Sequence, residues 1–234
     1  MSVLVRKSVE QYVSSNPQRK ESGLLYVSDL GAHPYKAMAR ILNGETAEFD
    51  ADIRIKMNYG NAFEAETLRA LQYNHAHVLT QFPLFNDMWS GYADFVVGHG
   101  EGYPVIVEHK ATGDKWFDYK ESLPRAAHLC QLWMYGQLYK ETYGITPGLD
   151  LYYVAWGSYA EFRIDEDVDR GVMVADGRIN GTRLKRRRAI SPANLRRELE
   201  HYFKTRTLPD SAGADDWDYA ETAYTRLQTA VWPD

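Results

Sequence analysis

The chain is almost without cysteine: Cys130 is the only one in 234 residues. That excludes an intramolecular disulfide framework and any four-cysteine zinc or iron–sulfur site within one chain. A reducing cytosolic setting is the simplest expectation. Long apolar runs are missing too. No stretch approaches the roughly 18 apolar residues of a membrane span, so no membrane partner is expected. Met1-Ser2-Val3-Leu4-Val5-Arg6-Lys7 contains no apolar core of the kind a signal peptide needs, and none is expected. Repeats and low-complexity tracts are absent. An excess of positive charge is absent as well, the formal net charge being −5. Composition therefore does not advertise nucleic-acid binding, although the distribution of charge decides that more than its sum.

What is present is ordinary for a globular chain: 44% apolar and 25% charged residues, at a length that suits one medium domain. The 17 tyrosines and 6 tryptophans can pack a core or stack on bases.

Residues 3–14 read as a short amphipathic helix, followed by a polar loop. Ser28 or Asp29 offers an N-cap for a helix through Leu42, which begins or kinks near Pro34 and stops at Asn43-Gly44. Residues 51–75 are the clearest helix, on the stripe Ile53, Met57, Phe63, Leu68 and Leu71. Within it, Gly60-Asn61 marks a break into two helices or a close backbone approach. A three-strand meander follows over 78–85, 90–97 and 103–111, with Pro83 suggesting an edge or a bulge in the first strand. Residues 124–143 form a long helix ending at Gly144, and 149–156 and 161–164 are further strands. Asp165-Glu166-Asp167 suits a helix N-terminus, so 165–188 read as helical. Pro192 to Lys204 is another amphipathic helix. The order of elements predicts an α/β (α+β) domain with a mixed central sheet flanked by helices. The expected bounds are a single domain over 1–208, with a core near 50–165 and a basic helical segment over 166–208, then a loosely ordered 209–234 tail with a short helix.

The chemistry gathers in residues 102–112, Gly-Tyr-Pro-Val-Ile-Val-Glu-His-Lys-Ala-Thr. Side chains alternate along a strand, so Glu108 and Lys110 project together and His109 the other way. Alone, Glu-x-Lys is an ordinary ion-pair pattern. Asp94 on the preceding strand changes its weight. It lies between Ala93 and Phe95-Val96-Val97, in strand context rather than in a turn cluster. Antiparallel pairing would set both carboxylates at one sheet edge, where two such groups can supply oxygen ligands to Mg²⁺. Gln131 and Tyr135 are i and i+4 on the following helix, a polar pair able to hydrogen-bond a phosphate or a base. Glu64 and Glu66 offer carboxylates on the earlier helix.

The succession Gly-x-x-x-Glu, Asp, Glu-x-Lys and Gln-x-x-x-Tyr resembles the PD-(D/E)XK nuclease superfamily. Its last element is similar to the RecB-like exonuclease branch, which includes CRISPR-associated RecB-like nucleases, the mitochondrial genome maintenance exonuclease and phage exonucleases. The likeness covers residues 57–156. It implies a restriction-endonuclease-like core and a metal-dependent DNA exonuclease, hydrolysing phosphodiester bonds from DNA ends with a single-strand preference, in recombination, repair or phage DNA processing. It implies Mg²⁺ or Mn²⁺ held by Asp94, Glu108 and the backbone carbonyl of His109, with Glu64 as the helix-borne ligand and Glu66 as its competitor. Lys110 would be the catalytic lysine, and Gln131 and Tyr135 the DNA-orienting pair. Many relatives carry an iron–sulfur cluster on four cysteines; with Cys130 alone, this chain resembles the cluster-free members.

Arg183-Leu184-Lys185-Arg186-Arg187-Arg188 holds five basic residues in six, a density that suits a phosphate backbone. Trp116, Phe117 and Tyr119, interleaved with Lys115 and Lys120, either stack on unpaired bases or cap the sheet. The expected partner is DNA, single-stranded or at its ends, with a homo-oligomer or a recombination protein left open. The expected setting is bacterial or phage-infected host cytosol. Two other functions fit the same residues: a restriction- or resolvase-type endonuclease, and a nuclease-fold assembly factor that binds nucleic acid without cutting it.

Overall fold

The computed structural model describes residues 23–44, 51–112, 123–167, 172–214 and 219–228. The helix expected at 3–14 and the aromatic segment at 115–120 lie outside them.

An eight-stranded mixed sheet forms the centre. Its strands are β1 (Leu25–Tyr26), β2 (Val78–Phe85), β3 (Trp89–Val97), β4 (Val105–Ala111), β5 (Gly148–Ala155), β6 (Ser158–Asp167), β7 (Val172–Ile179) and β8 (Thr182–Arg188). They run in the order β1-β3-β4-β5-β6-β7-β8, with β2 on the other edge of β3. The β1–β3 and β4–β5 pairs are parallel and the rest antiparallel. The helices are α1 (Pro34–Asn43), α2 (Ala51–Asn74), α3 (Ala126–Tyr143), α4 (Pro192–Thr205), α5 (Tyr219–Thr222) and α6 (Tyr224–Gln228). The mixed sheet with flanking helices is the α+β fold the sequence predicts.

Helix α3 is the crossover that two parallel neighbours, β4 and β5, require. It buries Leu129, Cys130, Leu132, Trp133, Met134, Tyr135, Leu138 and Tyr139, residues that point in every direction around its axis. A helix apolar all round lies inside the molecule rather than on it. One side of α3 packs on the sheet through Leu149 and Tyr153, and the other meets the turn at Val27–Asp29 and the C-terminal helices. Helix α2 contacts β4, β2 and β3 from the opposite face.

Helix α1 starts at Pro34, whose fixed φ suits a first helical residue. Its N-cap is His33, whose Nδ1 accepts from the Tyr35 amide at 3.2 Å. Gly44 closes it in the left-handed conformation at φ 66°. Asp29 caps no long helix; it accepts from the Tyr26 amide at 2.6 Å and from Arg40 at 2.8 Å, folding a single 3-10 turn. Helix α2 runs unbroken through Gly60-Asn61. Among the described residues a methyl group at Gly60 would meet only the Ala111 side chain, at an ordinary 3.7 Å, so neither a break nor a close approach among them explains this glycine.

The largest correction falls on residues 165–188. Residues 165–167 and 172–188 are strand rather than helix: β6 extends to Asp167, and β7 and β8 form a hairpin that carries the sheet outward. Phe162, Ile164, Met173, Ala175 and Ile179 are buried at every second position or a multiple of it, which a strand places on one face. The acidic triplet lies at the end of a strand. The C-terminal segment is also more than a tail, since Tyr219, Ala220, Ala223 and Leu227 belong to the main core.

Candidate active site

The ladder between β3 and β4 has only three rungs, Val97–Val105, Val96–Ile106 and Phe95–Val107. The next residues on the two strands are Asp94 and Glu108. The pairing stops there, and farther along the same edge β3 pairs with β1 instead. This fork frees backbone groups that a sheet would use. The amide of His109 donates to Asp94 Oδ2 at 2.8 Å, so the side chain of Asp94 fills in for the missing rung.

Lys110 Nζ donates to Glu108 Oε1 at 2.5 Å, which places both on one face of β4. His109 points the other way, its ring beside Phe95 and Tyr152. Burial lowers the His109 imidazole to about 4, and Lys110 pushes in the same direction. Its ring is therefore a neutral packing group.

Glu64 reaches the fork from α2. Its Oε1 accepts from the Gln81 amide at 2.8 Å, and the same nitrogen lies 3.5 Å from Asp94 Oδ1. Glu66 is exposed and pairs at 2.7 Å with Arg69 on its own helix. Of the two glutamates, only Glu64 joins the cluster. Gln81 is the site residue that the sequence did not reveal; nothing in Thr80-Gln81-Phe82 marks it.

The electrostatics are those of charges gathered under cover. Glu108 is 1% exposed. Burial pushes its carboxyl up to about 7, against the attraction of Lys110 and with the help of Asp94. Burial also raises Asp94, opposed by Lys110 and the His109 amide, and raises Glu64, opposed by the Gln81 hydrogen bond. Burial alone would lower Lys110, but Glu108 and Asp94 outweigh it and hold the ammonium above its ordinary range.

A divalent cation fits this donor set. Mg²⁺ and Mn²⁺ take hard anionic oxygens, and Asp94 and Glu108 stand where the two strands part, with Glu64 of α2 linked to Asp94 through the Gln81 amide. Glu108 Oε2 is buried with no hydrogen-bond partner among the described residues, and a cation would satisfy it. No three His, Cys, Asp or Glu side chains among the described residues converge into a ready-made metal cage. Gln81 holds one Glu64 oxygen and Lys110 one Glu108 oxygen.

Gln131 is half-buried, and its amide lies 3.4 Å from the Tyr135 hydroxyl. Tyr135 is 4% exposed and donates to the Tyr92 carbonyl at 2.9 Å. Its ring lies so close to Gly91 that a methyl there would come within 2.8 Å of Cε1. In this geometry Tyr135 clamps β3 two residues before Asp94 and supports Gln131; it does not itself reach the surface.

The basic run is strand β8, not a helix face, so it divides between two faces. Arg183, Lys185 and Arg187 are exposed, and Asp176 lies 3.4 Å from Arg183 and 4.0 Å from Lys185. Arg186 and Arg188 lie on the more buried face, where Arg188 donates to the Pro124 carbonyl at 3.2 Å and to Glu221 at 3.1 Å.

No helix among the described residues is long and apolar enough to cross a membrane. No family model and no curated protein matches the chain. One solved structure, described as "Crystal structure of SSO0001", is 18% identical, with a TM-score of 0.46 over 68% of this chain and 74% of that one. A likeness of that extent carries no functional argument.

Proposed function

We propose that the chain is a Mg²⁺- or Mn²⁺-dependent deoxyribonuclease of the PD-(D/E)XK type, acting as an exonuclease on DNA ends. The observation that carries this is the fork itself. Asp94 and the buried Glu108 stand at its opening, Lys110 is paired with Glu108, Glu64 is linked to Asp94 through the Gln81 amide, and one Glu108 oxygen has no partner among the described residues. Bound there, the cation would lower the pKa of a coordinated water and neutralise charge on the attacked phosphate. The chain's own groups do the rest. Asp94 and Glu108 are fixed by strand backbone, which suits rigid presentation of ligands. Lys110, paired with Glu108 in this structure, would be the group that stabilises negative charge as the phosphodiester is attacked. Gln131 is half-buried beside Tyr135, which contacts β3 two residues before Asp94, and its amide would be the group offered to a phosphate or base. The exonuclease preference rests on the resemblance of Gln-x-x-x-Tyr rather than on geometry.

The test is cleavage of end-labelled linear DNA and circular duplex with Mg²⁺ or Mn²⁺. The expected result is loss of label from linear ends, with closed circles intact. Nicking of circles with linear ends untouched supports the endonuclease instead. Lys110→Ala is expected to abolish cleavage while leaving DNA binding in place. A wild-type protein that binds DNA but cuts no DNA or RNA under any of these conditions defeats the nuclease reading.

A further inference from the structure

Three described residues other than glycine have left-handed backbone: Gln81 at φ 46°, Asn180 at φ 47° and Arg206 at φ 54°. Asn180 sits in the β7–β8 hairpin turn and Arg206 caps the end of α4, places where that conformation is ordinary. Gln81 lies inside strand β2, where it is not. The β2–β3 ladder pairs Thr80 with Phe95 and Phe82 with Ala93, passing over Gln81 and Asp94. Backbone strain of this kind persists where the surroundings enforce it, and it concentrates at functional sites. Here it comes with a specific contact. A single neutral amide nitrogen stands between Glu64 Oε1 and Asp94 Oδ1, two like-charged groups brought from a helix and a strand.

We propose that Gln81 is a positioning residue of the cation site, holding Glu64 of α2 toward Asp94 of β3 so that both carboxylates meet a divalent cation together. This rests on the nuclease reading in one respect, that a cation binds at the fork. Asp94 is held by the His109 amide and Glu108 sits opposite Leu151 in the β4–β5 ladder, so both are already placed. Glu64 is a long side chain on a helix surface, with several rotamers that lead to solvent. The Gln81 amide is the contact that selects the inward one. Gln81 therefore acts through Glu64 and not on substrate.

Gln81→Gly separates this role from a structural one. Glycine adopts φ 46° without strain, so thermal stability in chelator is expected to hold or rise. Mn²⁺ affinity of the full chain, read by calorimetric titration, is expected to fall about tenfold, as it does when a metal ligand loses its outer partner. In a Glu64→Gln background, the same change is expected to move Mn²⁺ affinity less than about twofold, because the positioned group is already gone. Unchanged Mn²⁺ affinity in Gln81→Gly overturns the proposal. So does an equal tenfold loss in both backgrounds, or a drop in thermal stability. A wild type that binds no Mn²⁺ removes the cation reading and this proposal together. A wild type that binds Mn²⁺ and cuts DNA, beside a Gln81→Gly protein that binds as tightly, removes this proposal alone.

Discussion

Glu108 shows how much of this site is decided by single atoms. Its folded carboxyl titrates near 7, against an ordinary value of 4.5, and the first cause is burial. The sign follows from linkage: an acid whose pKa rises on folding stabilises the fold below its unfolded value and loses that contribution as pH climbs through the folded one. With chelator present, Glu108→Gln is therefore expected to match wild-type stability near pH 4.5 and to exceed it by about 3 kcal/mol above pH 7. Urea unfolding of both proteins across that range measures the difference, and parallel curves would show that Glu108 is not the buried acid described here. At this scale the sequence was partly legible. Asp94, Glu108 and Lys110 could be read from strand alternation and spacing, and the facing of Lys110 and His109 follows from it. Gln81 could not. Its role comes from a left-handed backbone and a partner 17 residues away on a helix, and neither leaves a local pattern.

Among the elements, β3 and α3 depend on each other through one glycine. A methyl at Gly91 would lie 2.7 Å from Val27 Cγ2 and 2.8 Å from Tyr135 Cε1. Gly91→Ala is expected to push Tyr135 off the Tyr92 carbonyl and cost about 2 kcal/mol, read as a lower urea midpoint. A stability within error of wild type would mean that the clamp is loose. Gly-Tyr-Ala-Asp thus couples a packing requirement to a chemical one three residues later. Tyr159 to Asp165 alternate outward and inward, and the strand runs on to Asp167 after that alternation has stopped. The acidic triplet resembled a helix start, and Arg and Lys are good helix formers on their own. What overrides local preference is tertiary: β8 finds a ready edge on β7 and buries Leu184 partly beneath it.

For the molecule as a whole, the C-terminal helices are fastened by a buried carboxylate. Glu198 is 2% exposed and accepts from both Tyr219, at 3.0 and 3.1 Å, and Arg226, at 2.9 Å. Glu198→Ala leaves the Tyr219 hydroxyl without its carboxylate and is expected to cost about 2 kcal/mol, since Arg226 is half exposed and can turn to water. An unchanged urea midpoint would show that α5 and α6 are held by apolar contact alone. The Pro, Gly and Asp residues of 209–218 hid this from the sequence, because they look like a terminus and serve as a connection between packed parts. At the far end, strand β8 leaves its outer edge unpaired among the described residues. An open edge invites a second copy to extend the sheet. Two copies meeting there edge to edge would bring together five basic side chains from each, only partly offset by Asp176 and Glu221. The same run of cations that suggests a phosphate backbone would thus oppose growth of the sheet by a second copy.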